Sequence, residues 1–116
     1  MLRAILAAST IALVTVPSAH AQKYVGNPSA KEIAYIENEV KAVRARLKDP
    51  KSAEFSGLLV SRRSGAPIVC GYVNSKNSFG GYIGKQRFIG ASAAGISVTE
   101  EDMAEGEMPS LWAKVC

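Results

Sequence analysis

The sequence predicts an α+β domain, with an N-terminal amphipathic helix packed on a small antiparallel sheet of three to five strands and closed by one disulfide. Three observations carry this. Aliphatic residues recur at helical spacing between Ile33 and Leu47, and from Phe55 onward short apolar runs alternate with Gly-, Pro- and Asn-containing connections. The two cysteines, Cys70 and Cys116, lie far apart in a chain that opens with an export signal.

That signal reads in the usual order. Arg3 supplies the positive charge, Ala4–Val16 form an apolar core of about 13 residues, and Pro17-Ser18 precede the small-residue site Ala19-His20-Ala21. The core falls short of the roughly 20 residues a membrane span needs. The expectation is a cleavable signal over 1–21 and a periplasmic or secreted product with no stable membrane span after cleavage. No cysteine follows the core to carry a lipid. Taking 21 residues from 116 leaves 95, the size of one domain. Residues 22–28 read as a flexible lead and 29–116 as a single small domain.

The mature chain keeps 13 basic and 10 acidic residues, net +3, and no histidine. A Ser-His-Asp or Cys-His mechanism is therefore excluded within one mature chain, as is a histidine-based zinc site. No cofactor or metal is expected. In an oxidising compartment Cys70 and Cys116 read as one intramolecular bridge, with intermolecular pairing through the terminal Cys116 as the rival. The bridge would close a loop of 46 positions by subtraction, worth about 4 kcal/mol on the chain-entropy argument.

The elements follow in order. Ser29 and Glu32 have capping-box spacing. Ile33, Ile36, Val40, Val43 and Leu47 then advance by 3, 4, 3 and 4, one apolar stripe of a helix. Glu37 and Lys41 stand in the favourable i,i+4 order on its outer face. The stripe suits the domain's own sheet, although a partner helix could also cover it. Asp49-Pro50 ends the helix, and Asp49 is placed to cap one further turn. Phe55–Arg62 reads as a strand, Arg63–Pro67 as a turn, and Ile68–Val73, apolar on both faces, as a central strand. Asn74–Gly81 is a polar connection and Tyr82–Ile89 a strand, with Gly84 a place where another backbone would come close. A further short strand is expected around Ile96–Val98. Glu100–Glu107, five acids in eight residues, reads as a solvated loop, and Leu111–Cys116 as a short extended end.

The stretch from Val69 to Ile89 is the densest in information. It contains Cys70-Gly-Tyr-Val-Asn-Ser-Lys-Asn-Ser-Phe-Gly-Gly-Tyr82, and Asp49-Pro-Lys-Ser-Ala-Glu-Phe55 precedes it. These elements resemble small uncharacterised exported proteins of proteobacteria that share Asp-Pro-x-Ser-Ala-x-Phe and Cys-Gly-x-Val-Asn-x-Lys-Asn-x-x-Gly-Gly-Tyr. Together they cover about a third of the mature chain. The resemblance implies a shared fold and an exported location, and it brings no activity or catalytic residue with it. The acidic C-terminal segment has no counterpart in it.

Read on its own chemistry, this stretch offers candidate binding residues Asn74, Lys76, Asn77, Tyr82, Lys85 and Arg87. Amides, hydroxyls, cations and glycine-exposed backbone N–H groups there suit a carboxylate, a phosphate or a set of sugar hydroxyls. The same residue types also build a tight connection by side-chain-to-backbone bonds, and both readings stand. Gly84-Lys85 is not a phosphate-binding loop, because Phe79 and Gln86 occupy its required Gly and Ser/Thr positions.

Residues 22–98 carry 12 basic and 5 acidic residues, and 99–116 carry 1 and 5. This asymmetry would draw an anionic partner, unless the acidic segment folds over the basic face that Arg62, Arg63, Lys76, Lys85 and Arg87 would form. Export argues against nucleic acid as that partner. Glu100, Glu101 and Asp102 make a poor carboxylate pair for hydrolysis, since nothing apolar adjoins them. Ser110 and Lys114 lack the setting of a nucleophile. The expectation is a non-enzymatic domain that binds an envelope or secreted protein, or an anionic polysaccharide or lipid. The alternative is a secreted hydrolase inhibitor that inserts Lys76 or Arg87.

Overall fold

The computed structural model describes residues 10–12 and 23–116. The expected export signal, apart from 10–12, lies outside the described residues. The expected α+β architecture is present. Helix α1 (Ala30–Arg44) is followed by strands β1 (Glu54–Ser61), β2 (Ile68–Asn74), β3 (Gln86–Ala91) and β4 (Ile96–Thr99), and by helix α2 (Glu107–Val115). The strands form one antiparallel meander in the order β1-β2-β3-β4.

Helix α1 starts where the capping box places it. Ser29 Oγ accepts the Glu32 N–H at 3.1 Å, and the Glu32 carboxylate accepts the Ser29 N–H at 3.3 Å. Its buried stripe is Ile36, Val40 and Val43, with Leu47 packed on the same core just past the helix end. These meet Phe55, Leu58, Val69, Val73 and Phe88 on one face of the sheet. Phe55 and Phe88 lie edge to face with centroids 5.5 Å apart.

Glu39 is 1 % exposed, between α1 and the end of β3. Its carboxylate accepts the Ser92 hydroxyl at 2.7 Å and the Ser92 N–H at 3.1 Å, so this buried acid closes the 3₁₀ turn Ser92–Ala94.

The expectation of an extended Leu111–Cys116 is corrected. Leu111–Val115 belong to α2, with Cys116 as its C-cap, and the helix lays Met108, Leu111, Trp112 and Val115 on the opposite face of the sheet, against Leu59, Ile68, Ile89 and Val98. The disulfide joins Cys116, at the end of that helix, to Cys70 inside β2, with Cα atoms 6.0 Å apart. A helix on either side explains why Ile68–Val73 is apolar on both faces.

Other expectations are corrected at their edges. The third strand begins at Gln86 rather than Tyr82, because 75–83 fold into a separate hairpin tip. Within the lead expected to be flexible, Lys23–Val25 lie against β1: Val25 donates to Leu58 O at 2.9 Å, Leu58 donates to Lys23 O at 3.0 Å, and Tyr24 bridges Leu58 in parallel. This contact falls where β1 bulges between Ser56 and Leu59. Glu37 pairs with Lys23 at 2.7 Å rather than with Lys41, and it also accepts the Tyr24 hydroxyl. That bond, with partial burial, pushes the Tyr24 phenol up to about 12. Asp49 makes no side-chain cap; its carbonyl accepts the Ser52 hydroxyl instead. Gly84 has no atom within 4 Å of a Cβ position, so no backbone approaches it, and its φ of +93° is what calls for glycine.

Candidate functional site

The β2–β3 connection is a small hairpin built on its own hydrogen bonds. Ile83 N–H donates to Ser75 O at 3.2 Å, Lys76 and Tyr82 bridge, and Asn77 N–H donates to Gly81 O at 2.9 Å. The tip Asn77-Ser78-Phe79-Gly80 closes with Gly80 N–H donating to Asn77 O at 3.1 Å, and Gly80 takes the left-handed φ of +81°. This is the bonding pattern of a turn followed by a left-handed glycine.

The two asparagines work inside the connection. Asn77 Oδ1 accepts the N–H groups of Phe79 at 2.9 Å and Gly81 at 3.2 Å, while Asn74 Oδ1 accepts the Gly84 N–H at 3.1 Å. The side-chain oxygens of both residues serve the loop.

The hairpin is bolted to the 3₁₀ turn Pro50–Ser52. Ser52 Oγ accepts the Lys76 N–H at 2.8 Å, and Ser52 O accepts the Tyr82 hydroxyl at 3.1 Å. Arg44 fixes the turn from α1, donating to Pro50 O at 2.8 Å, with its guanidinium 5.1 Å from the Phe55 ring centroid. The two sequence elements singled out above therefore meet in space, Ser52 of one holding Lys76 and Tyr82 of the other.

What remains exposed is the tip. Phe79 is 97 % exposed at its apex, Tyr82 48 % and Ile83 44 %. The Lys76 ammonium lies 5.5 Å from the Tyr82 ring centroid, and Lys85 is exposed where the hairpin rejoins β3. Phe79 gave no periodic signal in the sequence; its position between Asn77 and Gly80-Gly81 is the clue that it stands at a turn apex. Beneath the tip, a cleft of about 220 Å³ separates the hairpin from the end of α1 and the acidic segment. Arg46, Lys48, Lys76, Asn77, Ile83, Glu101 and Asp102 contribute to its lining.

Arg87 does not join this group. It lies on β3 facing α2, its guanidinium bound to Glu100 at 3.0 Å and 6.0 Å from the Trp112 ring centroid. The Arg87 hydrogen bonds hold the Glu100 carboxyl below the usual carboxylate range. The first three acids of the segment are thus engaged rather than freely solvated, while Glu105 and Glu107 are exposed. Glu100–Asp102 form a 3₁₀ turn, Asp102 pairs with Arg46 at 3.1 Å and accepts the Thr99 N–H at 2.9 Å, and Glu101 and Gln86 bond reciprocally. Of the two outcomes weighed for this segment, it covers part of the basic surface.

The bridge between Cys70 and Cys116 suits an oxidising, non-cytoplasmic compartment. Among the described residues, no helix is long and apolar enough to cross a membrane. Comparison with family models, curated proteins and solved structures finds no match for the chain.

Proposed function

We propose that this chain is a small exported, non-enzymatic binding module of the cell envelope or its surroundings, periplasmic or secreted, and that the hairpin tip 74–85 is its contact surface. The observation that carries the reading is Phe79, an aromatic ring 97 % exposed at the apex of a loop whose own hydrogen bonds hold it in place. Such a loop loses little conformational entropy on docking, so most of its contact energy is available for binding. Lys76, Tyr82, Ile83 and Lys85, further along the two arms of the hairpin, are the other contact residues, and Asn74 and Asn77 maintain the shape. The non-enzymatic reading draws support from Glu100, Glu101 and Asp102, whose carboxylates are all engaged by other groups. A hydrolase inhibitor would use the same loop through Lys76; Arg87, held by Glu100, has less to offer it.

In-cell photo-crosslinking of the exported protein, with the photoreactive residue at position 79, tests the reading. A discrete adduct that disappears when the same residue is moved to exposed Lys31 supports it. A folded, exported protein that crosslinks to neither protein nor lipid at 79, and binds no vesicle, overturns it.

A further inference from the structure

Resting on the reading that 74–85 is the contact surface, we infer that the surface it meets is an anionic lipid bilayer, with Phe79 entering the headgroup boundary and the flanking lysines on the phosphates. The tip is apolar at its apex and basic at its flanks. Gly80-Gly81 separate Phe79 from the adjacent pair Tyr82-Ile83, and Lys76 and Lys85 stand on either side. From Phe55 to Thr99 the chain contains no Asp or Glu. Aromatic tips at the interface with lysines reaching to lipid phosphate are the arrangement a peripheral protein needs.

The pairing of charges elsewhere sharpens this polarity. Arg46 and Arg87 are taken up by Asp102 and Glu100. Among the described residues, neither Lys76 nor Lys85 has a carboxylate within ion-pair distance. Lys48 lines the cleft under the tip, and Lys51 adjoins Ser52, which holds the hairpin. The acids that share this region, Asp49, Glu54, Glu101 and Asp102, belong to the segments beneath the hairpin rather than to its tip, and Asp102 is paired with Arg46. Tyr82 donates toward Ser52 O and Glu54 at that base. A protein partner fits less well. A specific protein interface covers about 800 Å² on each side, whereas the apex of this tip offers the one ring of Phe79, with half-exposed Tyr82 and Ile83 nearer its base. One inserted aromatic ring and a few lysines give reversible, salt-sensitive attachment rather than a permanent anchor.

The test is co-sedimentation of the protein, purified as cells export it, with vesicles of phosphatidylglycerol and phosphatidylcholine, and with vesicles of phosphatidylcholine alone. Binding to the anionic vesicles that weakens as salt rises is expected. Phe79→Ala should weaken it at least tenfold, and Lys76→Gln and Lys85→Gln about fivefold each, a lysine near an anionic surface being worth about that factor. Lys31→Gln, on the first turn of α1, should leave it unchanged. Phe79 packs on nothing, so its variant retains the fold, and its far-ultraviolet spectrum verifies that. Equal binding to neutral vesicles, no binding to anionic ones, or binding indifferent to Phe79→Ala overturns the inference. A protein adduct at position 79 without vesicle binding overturns the lipid partner alone. Neither adduct nor vesicle binding removes the contact-surface reading as well.

Discussion

Gly71 sits in the middle of β2, opposite the bulge in β1, with Leu58 and Phe88 closing over it. A Cβ there would stand 2.6 Å from Leu58 Cδ2 and 2.8 Å from Phe88 Cε1. Both neighbours are fully buried, so neither has free space to move into. The glycine that follows Cys70 is thus a packing requirement of the first core rather than part of a binding motif. Gly71→Ala should destabilise the domain by about 1–3 kcal/mol through overpacking, read as a lower urea midpoint at unchanged slope. A variant as stable as the parent would mean that Leu58 can find another rotamer. Gly90 tells a similar story in milder form. Its missing Cβ leaves room for the Glu39 side chain, whose Cβ and Oε2 would lie 3.1 Å away.

Between elements, the contacts that could be read in advance are those between residues close in sequence. The α1 start and its stripe are legible because a capping box and a 3.6-residue period are local features. The Asn77 turn is legible for the same reason. Helix α2 carries a signal too, since Met108, Leu111, Trp112 and Val115 stand at i, i+3, i+4 and i+7. Pro109 and the nine-residue length disguise it, although proline is tolerated in a first turn where N–H groups have no partner. Long-range pairings leave no such trace. Nothing in the spacing couples Lys23 to Glu37, Glu100 to Arg87 or Asp102 to Arg46, because solvated charges have no periodic constraint. That is why residues 23–25 read as a lead, why the acidic segment reads as loose, and why Arg87 reads as available.

Two of these clasps make a prediction about acid. Partial burial raises the Glu37 carboxyl, but hydrogen bonds from Lys23 and Tyr24 outweigh it, and the net shift is downward. The Arg87 hydrogen bond lowers Glu100 in the same direction. A carboxylate depressed in the folded state stabilises it above the unfolded value of 4.5 and loses that contribution as pH falls through the folded value. Both side chains are more than a third exposed, so the effect is small and screened by salt. Glu37→Gln and Glu100→Gln should each melt slightly below the parent at pH 7, and the gap should close as pH drops below about 4.5. A gap independent of pH would assign the loss to packing rather than charge.

At the scale of the whole molecule, one four-stranded sheet carries two cores of unequal security. The first is closed by a fifteen-residue helix with its own capping box, and by the docked Lys23–Val25 segment. The second is closed by nine residues whose N-cap, Gly106, has no side chain to offer. A helix that short is marginal in water on its own. Its apolar face and its covalent tie to Cys70 hold it, and Trp112 packs against Tyr72 with ring centroids 5.5 Å apart. Reduction should therefore act on α2 first. Closing 46 residues is worth about 4 kcal/mol on the loop-entropy argument, a large share of the stability of a domain this size. Paired Cys70→Ser and Cys116→Ser replacement should lower the unfolding free energy by about 2–5 kcal/mol. With α2 loosened, Trp112 emission should shift to the red, and Leu59, Ile68 and Ile89 should bind a hydrophobic dye. Hydrogen exchange then separates local release from global unfolding. Rapid exchange confined to Glu107–Val115, with β2 and β3 amides still protected, would identify the bridge as the clamp of the second core alone. In that case the hairpin tip, rooted in Ser52 and the first core, would keep its shape in the reduced protein.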